Sequence, residues 1–82
     1  MFKTALYYTL HISDQLLKRI EINPNIMGGK PVIKGTRVTV EAILKRLAEG
    51  LYVEDVLKDY PYLTKDDIKA AITMQRRFLR MK

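Results

Sequence analysis

The chain has 82 residues, a net charge of +6 and a pI near 9.7. This length allows one domain with a small core, and the hydrophobic content of 48% is that of a folded protein. The absence of cysteine excludes disulfides, thiolate metal sites and cysteine nucleophiles. No apolar run reaches the roughly 18 residues of a membrane span, and the N-terminus lacks a signal-peptide cleavage pattern. We therefore expect a cytoplasmic protein with no membrane partner.

The positive charge is concentrated in two parts of the chain. Residues 30–40 carry +3 and residues 61–82 carry +4, whereas residues 41–60 carry −2. Two basic patches favour a nucleic-acid partner, because cationic side chains that neutralise phosphates release counterions. Many small basic proteins bind no nucleic acid, so charge alone leaves both interpretations open.

The first part of the chain predicts a helical turn, a strand and a tight turn. Residues 1–12 alternate poorly and predict no definite element. Ser13 is a candidate cap for a helical turn over residues 14–17. Polar and apolar residues alternate over Arg19–Asn23, which predicts a short strand with Ile20 and Ile22 on one face. The sequence Asn23-Pro24-Asn25 is typical of a turn that ends it.

The stretch "MGGKPVIKGTR" (residues 27–37) holds three of the four glycines and three basic residues. Apolar residues on both sides of Lys34-Gly35-Thr36 predict a hairpin with Gly35 at a positive φ. The spacing does not fit a Walker loop or a dinucleotide-binding loop. We therefore predict that the glycines and Pro31 set the conformation of the backbone in this turn. Lys30, Lys34 and Arg37 either contact phosphate or point into solvent.

Three helices are predicted after the hairpin. Thr39 is a candidate N-cap and Gly50 a stop for the first; the second covers about Val53–Asp59 and is broken by Pro61. Thr64 caps the third, where Asp66 and Asp67 complement the helix dipole. Helical spacing predicts which residues of each helix face the core. They are Val40, Ile43, Leu44, Leu47 and Leu51 in the first helix, Val53, Val56, Leu57 and Tyr60 in the second, and Ile68, Ala71, Ile72, Gln75 and Leu79 in the third.

No group of residues predicts catalysis, a cofactor or a metal. His11, Ser13 and Asp14 lie close together in sequence, but such a cluster is more typical of a turn or cap than of a nucleophile with its base. The acidic residues cluster at helix starts, which the helix dipole explains. We expect the protein not to be an enzyme. The helix, short turn and helix at the C-terminal end form the outline of a helix-turn-helix.

Seven short motifs in a fixed order resemble the bacterial and archaeal family catalogued as domain of unknown function 433. The resemblance runs from about Ile20 to Ile72. The motifs are Asn23-Pro24, Gly28-Gly29-Lys30-Pro31, Ile33-Lys34-Gly35-Thr36-Arg37, Gly50, Tyr60-Pro61, Leu63-Thr64 and Ala70-Ala71. Tyr52 departs from the family, which usually has Ser or Thr at this position, so the second helix is expected to have a weaker cap. Residues 1–18 and the tail "RRFLRMK" lie outside the motifs.

The resemblance implies a fold and a function. The fold is mainly α: a short N-terminal β segment or hairpin precedes a three-helix, homeodomain-like helix-turn-helix domain. We divide this single domain (1–82) into a variable segment (1–18), a β region (19–40) and a helical region (40–82). The implied function is that of a VapB-like antitoxin, which silences a neighbouring PIN-like ribonuclease and represses its own operon as a dimer on operator DNA. The alternative is a protein-interaction module, such as a dimeric adaptor or nuclease inhibitor, with no DNA binding.

Candidate site residues follow from the predicted helix faces and the basic patches. The DNA-binding candidates are Lys30, Lys34, Arg37, Lys65, Lys69, Thr73, Arg76 and Arg77. The carboxylates of Asp66 and Asp67 count against DNA at this helix start, because they repel phosphates. Met74, Phe78 and Met81 form a second apolar stripe, which either binds a partner protein or packs on residues 1–12. The strand over Arg19–Asn23 and the hairpin are predicted to pair with a second copy.

Overall fold

The structure is a computed structural model that describes residues 14–80, with side chains over residues 14–76. A helical turn at residues 14–17 precedes the named elements. These are strand β1 (Ile20–Glu21), a 3-10 turn (Met27–Gly29), strand β2 (Val32–Ile33) and helices α1 (Val40–Ala48), α2 (Val53–Asp59) and α3 (Lys65–Arg80). The predicted mainly α fold with a short N-terminal hairpin is confirmed. The predictions for residues 1–13, including the cap at Ser13, lie outside the described residues.

Strands β1 and β2 form an antiparallel pair, with Ile20 opposite Ile33 and Glu21 opposite Val32. The strand predicted over Arg19–Asn23 is thus shorter, and Ile22 lies beyond its end with 62% of its surface exposed. The prediction that Ile22 belongs to the strand and shares a face with Ile20 is therefore wrong at Ile22, which is not part of the strand. The reason is the turn that follows at once, in which the Asn25 N–H donates to Asn23 Oδ1 at 2.9 Å.

A tight turn at Gly35 leads from β2 to α1. Gly35 has a φ of +80°, a conformation that side chains with a Cβ rarely adopt. The Ile33 N–H donates to the Val38 carbonyl at 2.9 Å, and the Val40 N–H donates to the Pro31 carbonyl at 2.9 Å. The predicted hairpin is therefore present. Its second arm, residues 37–39, leads directly into α1.

Both ends of α1 follow the predicted capping chemistry. Thr39 Oγ1 accepts a hydrogen bond from the Ala42 N–H at 3.0 Å, which satisfies one of the free donors at the helix start. At the other end Gly50 has a φ of +96°, and the Leu51 N–H donates to the Arg46 carbonyl at 3.2 Å. This is the hydrogen bonding of a Schellman motif, and it turns the chain towards α2.

The core lies where α1 packs against both α2 and α3 and where α2 meets α3, with β2 and the second hairpin arm closing one side. The buried apolar residues are Val32, Ile33, Val38, Val40, Ile43, Val56, Leu63, Ile68, Ala70 and Ala71. Ile20, Leu44, Leu47, Val53, Leu57, Tyr60 and Met74 are partly buried against the core. The predicted inward faces of α1 and α2 are confirmed except at Leu51, which is 37% exposed beyond the end of α1.

The predicted inward face of α3 is displaced around the helix by roughly a quarter of a turn. Ile72 and Gln75, predicted to be inside, are exposed, whereas Met74 packs against the core. The buried face instead includes Asp67 and Ala70. A hydrophobicity pattern favours large apolar residues over a charged aspartate and a small alanine, so it misplaces this face. Leu79 lies outside the described side chains.

Candidate nucleic-acid interface

The face of α3 that points away from the core carries basic and polar side chains together with the exposed Ile72. Lys65, Lys69 and Arg76 are exposed, and Thr73 is half-buried. At about 100° per residue these four positions fall within one side of the helix, opposite the buried Asp67, Ala70 and Ala71. We call Lys65, Lys69, Thr73 and Arg76 the basic face. Four of the predicted DNA-binding residues thus share one surface of the second helix of the helix-turn-helix.

The start of α3 is held by a reciprocal cap. The Thr64 N–H donates to Asp67 Oδ2 at 2.9 Å, and the Asp67 N–H donates to Thr64 Oγ1 at 3.3 Å. This capping box satisfies two backbone donors and explains how a carboxylate with only 7% of its surface exposed is tolerated. The first turn of the basic face is therefore rigidly placed.

Arg19, which lies just before β1, binds both aspartates at this helix start. Its Nη1 donates to Asp67 Oδ1 at 3.3 Å, and its Nη2 lies 3.5 Å from Asp66 Oδ2. The sequence analysis did not select Arg19. Arg19 and Asp67 lie 48 positions apart in the chain, and no local pattern joins residues at that separation. The negative charge predicted to repel DNA is therefore paired with a guanidinium group.

A polar cleft of about 490 Å³ separates the helical turn at residues 14–17 from the start of α3. It is lined by Gln15, Leu16, Lys18, Arg19, Asp66 and Lys69. Lys18 and Lys69 are both exposed and line the same opening. The segment before β1 therefore adds a lysine beside the basic face, a residue that the sequence analysis did not select.

The glycine-rich turn holds the second group of predicted basic residues. Lys30 forms an exposed ion pair with Glu41 at 3.3 Å, whereas Lys34 and Arg37 are exposed on the hairpin. The Gly29 and Lys30 amides donate to the Ile26 and Met27 carbonyls at 3.0 and 3.3 Å. These two amides are used within the turn, which supports the geometric interpretation of the glycines over a phosphate loop.

Arg37 connects this turn to the helix-turn-helix. It lines a cleft of about 540 Å³ together with Tyr62, whose side chain is 63% exposed in the turn between α2 and α3. Tyr62 in turn stacks edge-on with Tyr60, with ring centroids 6.3 Å apart. Arg37 is therefore adjacent to the turn that leads into α3, while Lys30 is drawn towards α1.

Of the remaining predicted residues, only Met74 has a described side chain, and it lies on the core side of α3 rather than on the basic face. The side chains of Arg77 and Phe78, and all of Met81, lie outside the description of the structure. Met74 was predicted to lie in a stripe outside the core. The prediction is wrong for this residue, because Met74 packs against the core. It also lines a largely apolar groove of about 500 Å³ between α1 and α3, together with Pro31, Val40, Glu41, Leu44, Lys45, Ala48 and Gln75.

Neither a metal-binding cluster nor a membrane-spanning helix occurs among the described residues. No group of three or more His, Asp or Glu side chains in this part of the chain is arranged to hold a metal ion. Among the same residues, no helix combines the length and apolarity required to cross a bilayer.

The fold and the basic face together define a small helix-turn-helix domain. The chain belongs to the DUF433 family, described as proteins of unknown function, whose model matches residues 20–73. The predicted family is thus confirmed. Its structure is similar to the crystal structure of a DUF433 member protein from Anabaena variabilis ATCC 29413, with a TM-score of 0.73 and 28% sequence identity. That alignment covers 98% of this chain and 75% of the Anabaena chain.

A curated relative is the uncharacterized protein y4eO of Sinorhizobium fredii. It is 41% identical to this chain over 49 residues, which are 60% of this chain but only 22% of y4eO. The matched segment is therefore a small part of that longer protein. The family model establishes the family and the Anabaena structure supports the fold, and neither relative's description states an activity.

Proposed function

We propose that this chain is an antitoxin-like DNA-binding protein that represses its own operon and neutralises a neighbouring PIN-like ribonuclease. The observation that carries the DNA-binding part is the basic face of α3. In helix-turn-helix proteins the second helix enters the major groove, and its first residues approach the base edges. Lys65 and Lys69 lie in that part of α3, and Arg76 lies further along, where phosphate contacts are the natural role.

Three further features support DNA as the partner. The two aspartates at the start of α3 are paired with Arg19, so they present less repulsion to phosphates. Arg37 adds positive charge near the turn that precedes α3. The net charge of +6 favours association with a polyanion at low salt.

The antitoxin part of the proposal rests on the family rather than on the basic face. Members of the family are regarded as VapB-like and many are encoded beside a PIN-like nuclease, which makes a protein partner the expected second role. The protein encoded by the neighbouring gene provides the direct test of this role. A PIN-like nuclease whose ribonuclease activity falls when this chain is added would support the role, and unchanged activity would remove it.

A dimer is part of the proposal, since helix-turn-helix repressors read two half-sites. Within the described residues, β1 pairs on one side only, with β2 of the same chain. We expect a strand from a second copy to pair with its other edge, although a strand of two residues contributes little by itself. Sedimentation of the free protein and of its DNA complex measures this directly.

DNA binding is tested with the DNA upstream of the gene and with random duplex of equal length. We expect tighter binding to the upstream DNA, and an affinity that falls by at least about tenfold between 50 and 200 mM salt. A Lys69→Ala/Arg76→Ala variant is expected to bind weakly. Lys45→Ala/Lys58→Ala is the matched control, because it removes the same charge from exposed positions on α1 and α2. Equal affinity for both DNAs, with and without the neighbouring protein, would contradict repression.

A second candidate function is a protein-interaction module that binds no DNA. The groove between α1 and α3 favours it, because a largely apolar opening lined by Val40, Leu44 and Met74 suits a protein partner. The two functions predict different sensitive positions. Ala48→Gln, at an exposed position in the groove, would weaken the module and leave DNA affinity unchanged, whereas Lys69→Ala would weaken DNA binding and leave the module unchanged.

A further inference from the structure

The start of α3 combines a favourable position for DNA contact with two unfavourable charges. Asp66 is exposed, with 52% of its side-chain surface accessible, and it lies between Lys65 and the buried Asp67. In a helix-turn-helix, this first turn comes nearest to the groove. An unpaired carboxylate there would repel the phosphates that the neighbouring lysines attract. A DNA-binding role therefore requires that this charge be offset.

Resting on the DNA-binding role proposed above, we infer that Arg19 is a positioning residue for DNA, which acts by offsetting part of the negative charge of Asp66 and Asp67 at the start of α3. One guanidinium group reaches both carboxylates, at 3.5 and 3.3 Å. Arg19 lies one position before the segment that matches the family model, which begins at residue 20.

The backbone of Arg19 is fixed on both sides, so its side chain starts from a defined place. Its N–H donates to the Leu16 carbonyl at 3.0 Å, and its carbonyl accepts from the Lys34 N–H at 2.8 Å. The first bond ties it to the helical turn and the second to the hairpin. Arg19 therefore links the β region to the start of α3, and DNA affinity depends on a residue outside the helix-turn-helix.

The partial exposure of the cluster determines how Arg19 acts. The Arg19 side chain is 43% exposed, so its pair with Asp66 contributes little to folding stability. The same charges act on an approaching polyanion over the Debye length, about 10 Å at 0.1 M salt. The pairing of Arg19 with Asp66 is thus expected to act mainly on DNA affinity at low salt, whereas the bond of Arg19 to the buried Asp67 contributes to the free energy of unfolding.

The decisive variant is Asp66→Asn, because it predicts tighter binding, which misfolding cannot produce. Asp59→Asn is the matched control: Asp59 is also a half-exposed carboxylate paired with an arginine, Arg46, but lies at the end of α2. We expect Asp66→Asn to increase affinity for the upstream DNA by about threefold or more at 50 mM salt, with a smaller gain at 300 mM. Asp59→Asn should remain within about twofold of the wild type.

Arg19→Gln provides the converse measurement. We expect DNA affinity to fall by about tenfold at 50 mM salt, and the Arg19→Gln/Asp66→Asn double variant to recover most of it. Urea unfolding of the same proteins separates charge from structure. A structural role for Arg19 predicts that affinity follows stability, whereas neutralisation predicts recovered affinity without recovered stability.

The outcomes distinguish the inference from the function on which it rests. If the wild type binds neither DNA with salt-dependent affinity, the proposed function fails. If the wild type binds the upstream DNA but Asp66→Asn and Asp59→Asn behave alike, DNA binding stands and the inference about Arg19 is overturned. A double variant that remains as weak as Arg19→Gln would also overturn it.

Discussion

Helices α2 and α3 both begin with two acidic residues in the first turn, Glu54 and Asp55 in one and Asp66 and Asp67 in the other. In each, the third helical residue accepts a hydrogen bond from the backbone N–H of the N-cap residue, at 2.8 Å for Asp55 and 2.9 Å for Asp67. The two starts differ in two other contacts. The Tyr52 side chain makes no cap hydrogen bond to α2, whereas Thr64 completes a capping box on α3.

The second difference is long-range. Asp67 is buried and also binds Arg19, while Asp55 has only its local partner among the hydrogen bonds of the described residues. Two acidic residues in the first turn therefore form only a local cap in α2. In α3 the same pattern also binds the distant Arg19 through Asp67, and we call this contact the anchor of α3. The anchored helix is the one that carries the basic face. Its rigid start is what a helix that enters a groove requires.

The largest expected effect comes from removing the anchor. We expect Asp67→Ala to lower the free energy of unfolding by about 2 kcal/mol, because it removes one half of the capping box and leaves the Thr64 N–H without its acceptor. Asp55→Ala in α2 should cost about 1 kcal/mol or less, since its hydrogen bond is exposed. Urea denaturation of both variants measures the difference. Equal losses would show that burial and Arg19 add nothing to the cap of α3.

A smaller effect is expected from giving α2 the cap that it lacks. Tyr52→Thr places a hydroxyl where the second half of a capping box belongs, and it removes a side chain that is 75% exposed. We expect the free energy of unfolding to rise by about 0.5 kcal/mol, since N-cap hydroxyls are typically worth about 1 kcal/mol and some packing is lost. A decrease measured by urea denaturation would indicate that the Tyr52 ring stabilises the loop before α2.

The sequence predicted local features well because their causes are local. The caps at Thr39 and Thr64, the stop at Gly50 and the bounds of α2 follow from residues within one turn of each feature. The short strand was overestimated because its alternation continues through Ile22 into the turn. The inward face of α3 was misplaced because its burial of Asp67 depends on Thr64 and on a distant arginine.

The candidate site also combines residues that local spacing predicts with residues that only the tertiary structure brings together. Lys65, Lys69, Thr73 and Arg76 could be grouped from helical spacing, and the structure places them on one face. The pairing of Arg19 with Asp66 and Asp67 spans most of the domain, so it required the tertiary structure. The contribution of Lys18 to the same surface also follows only from the fold.

The central claim is that DNA meets the anchored helix α3 rather than the apolar groove. The most direct measurement is a titration of 15N-labelled protein with the upstream duplex, followed by amide chemical shifts. The account predicts that the largest changes fall on amides between Lys65 and Arg76, with small changes around Leu44 and Ala48 of α1. Changes confined to the groove, or none at low salt, would contradict it.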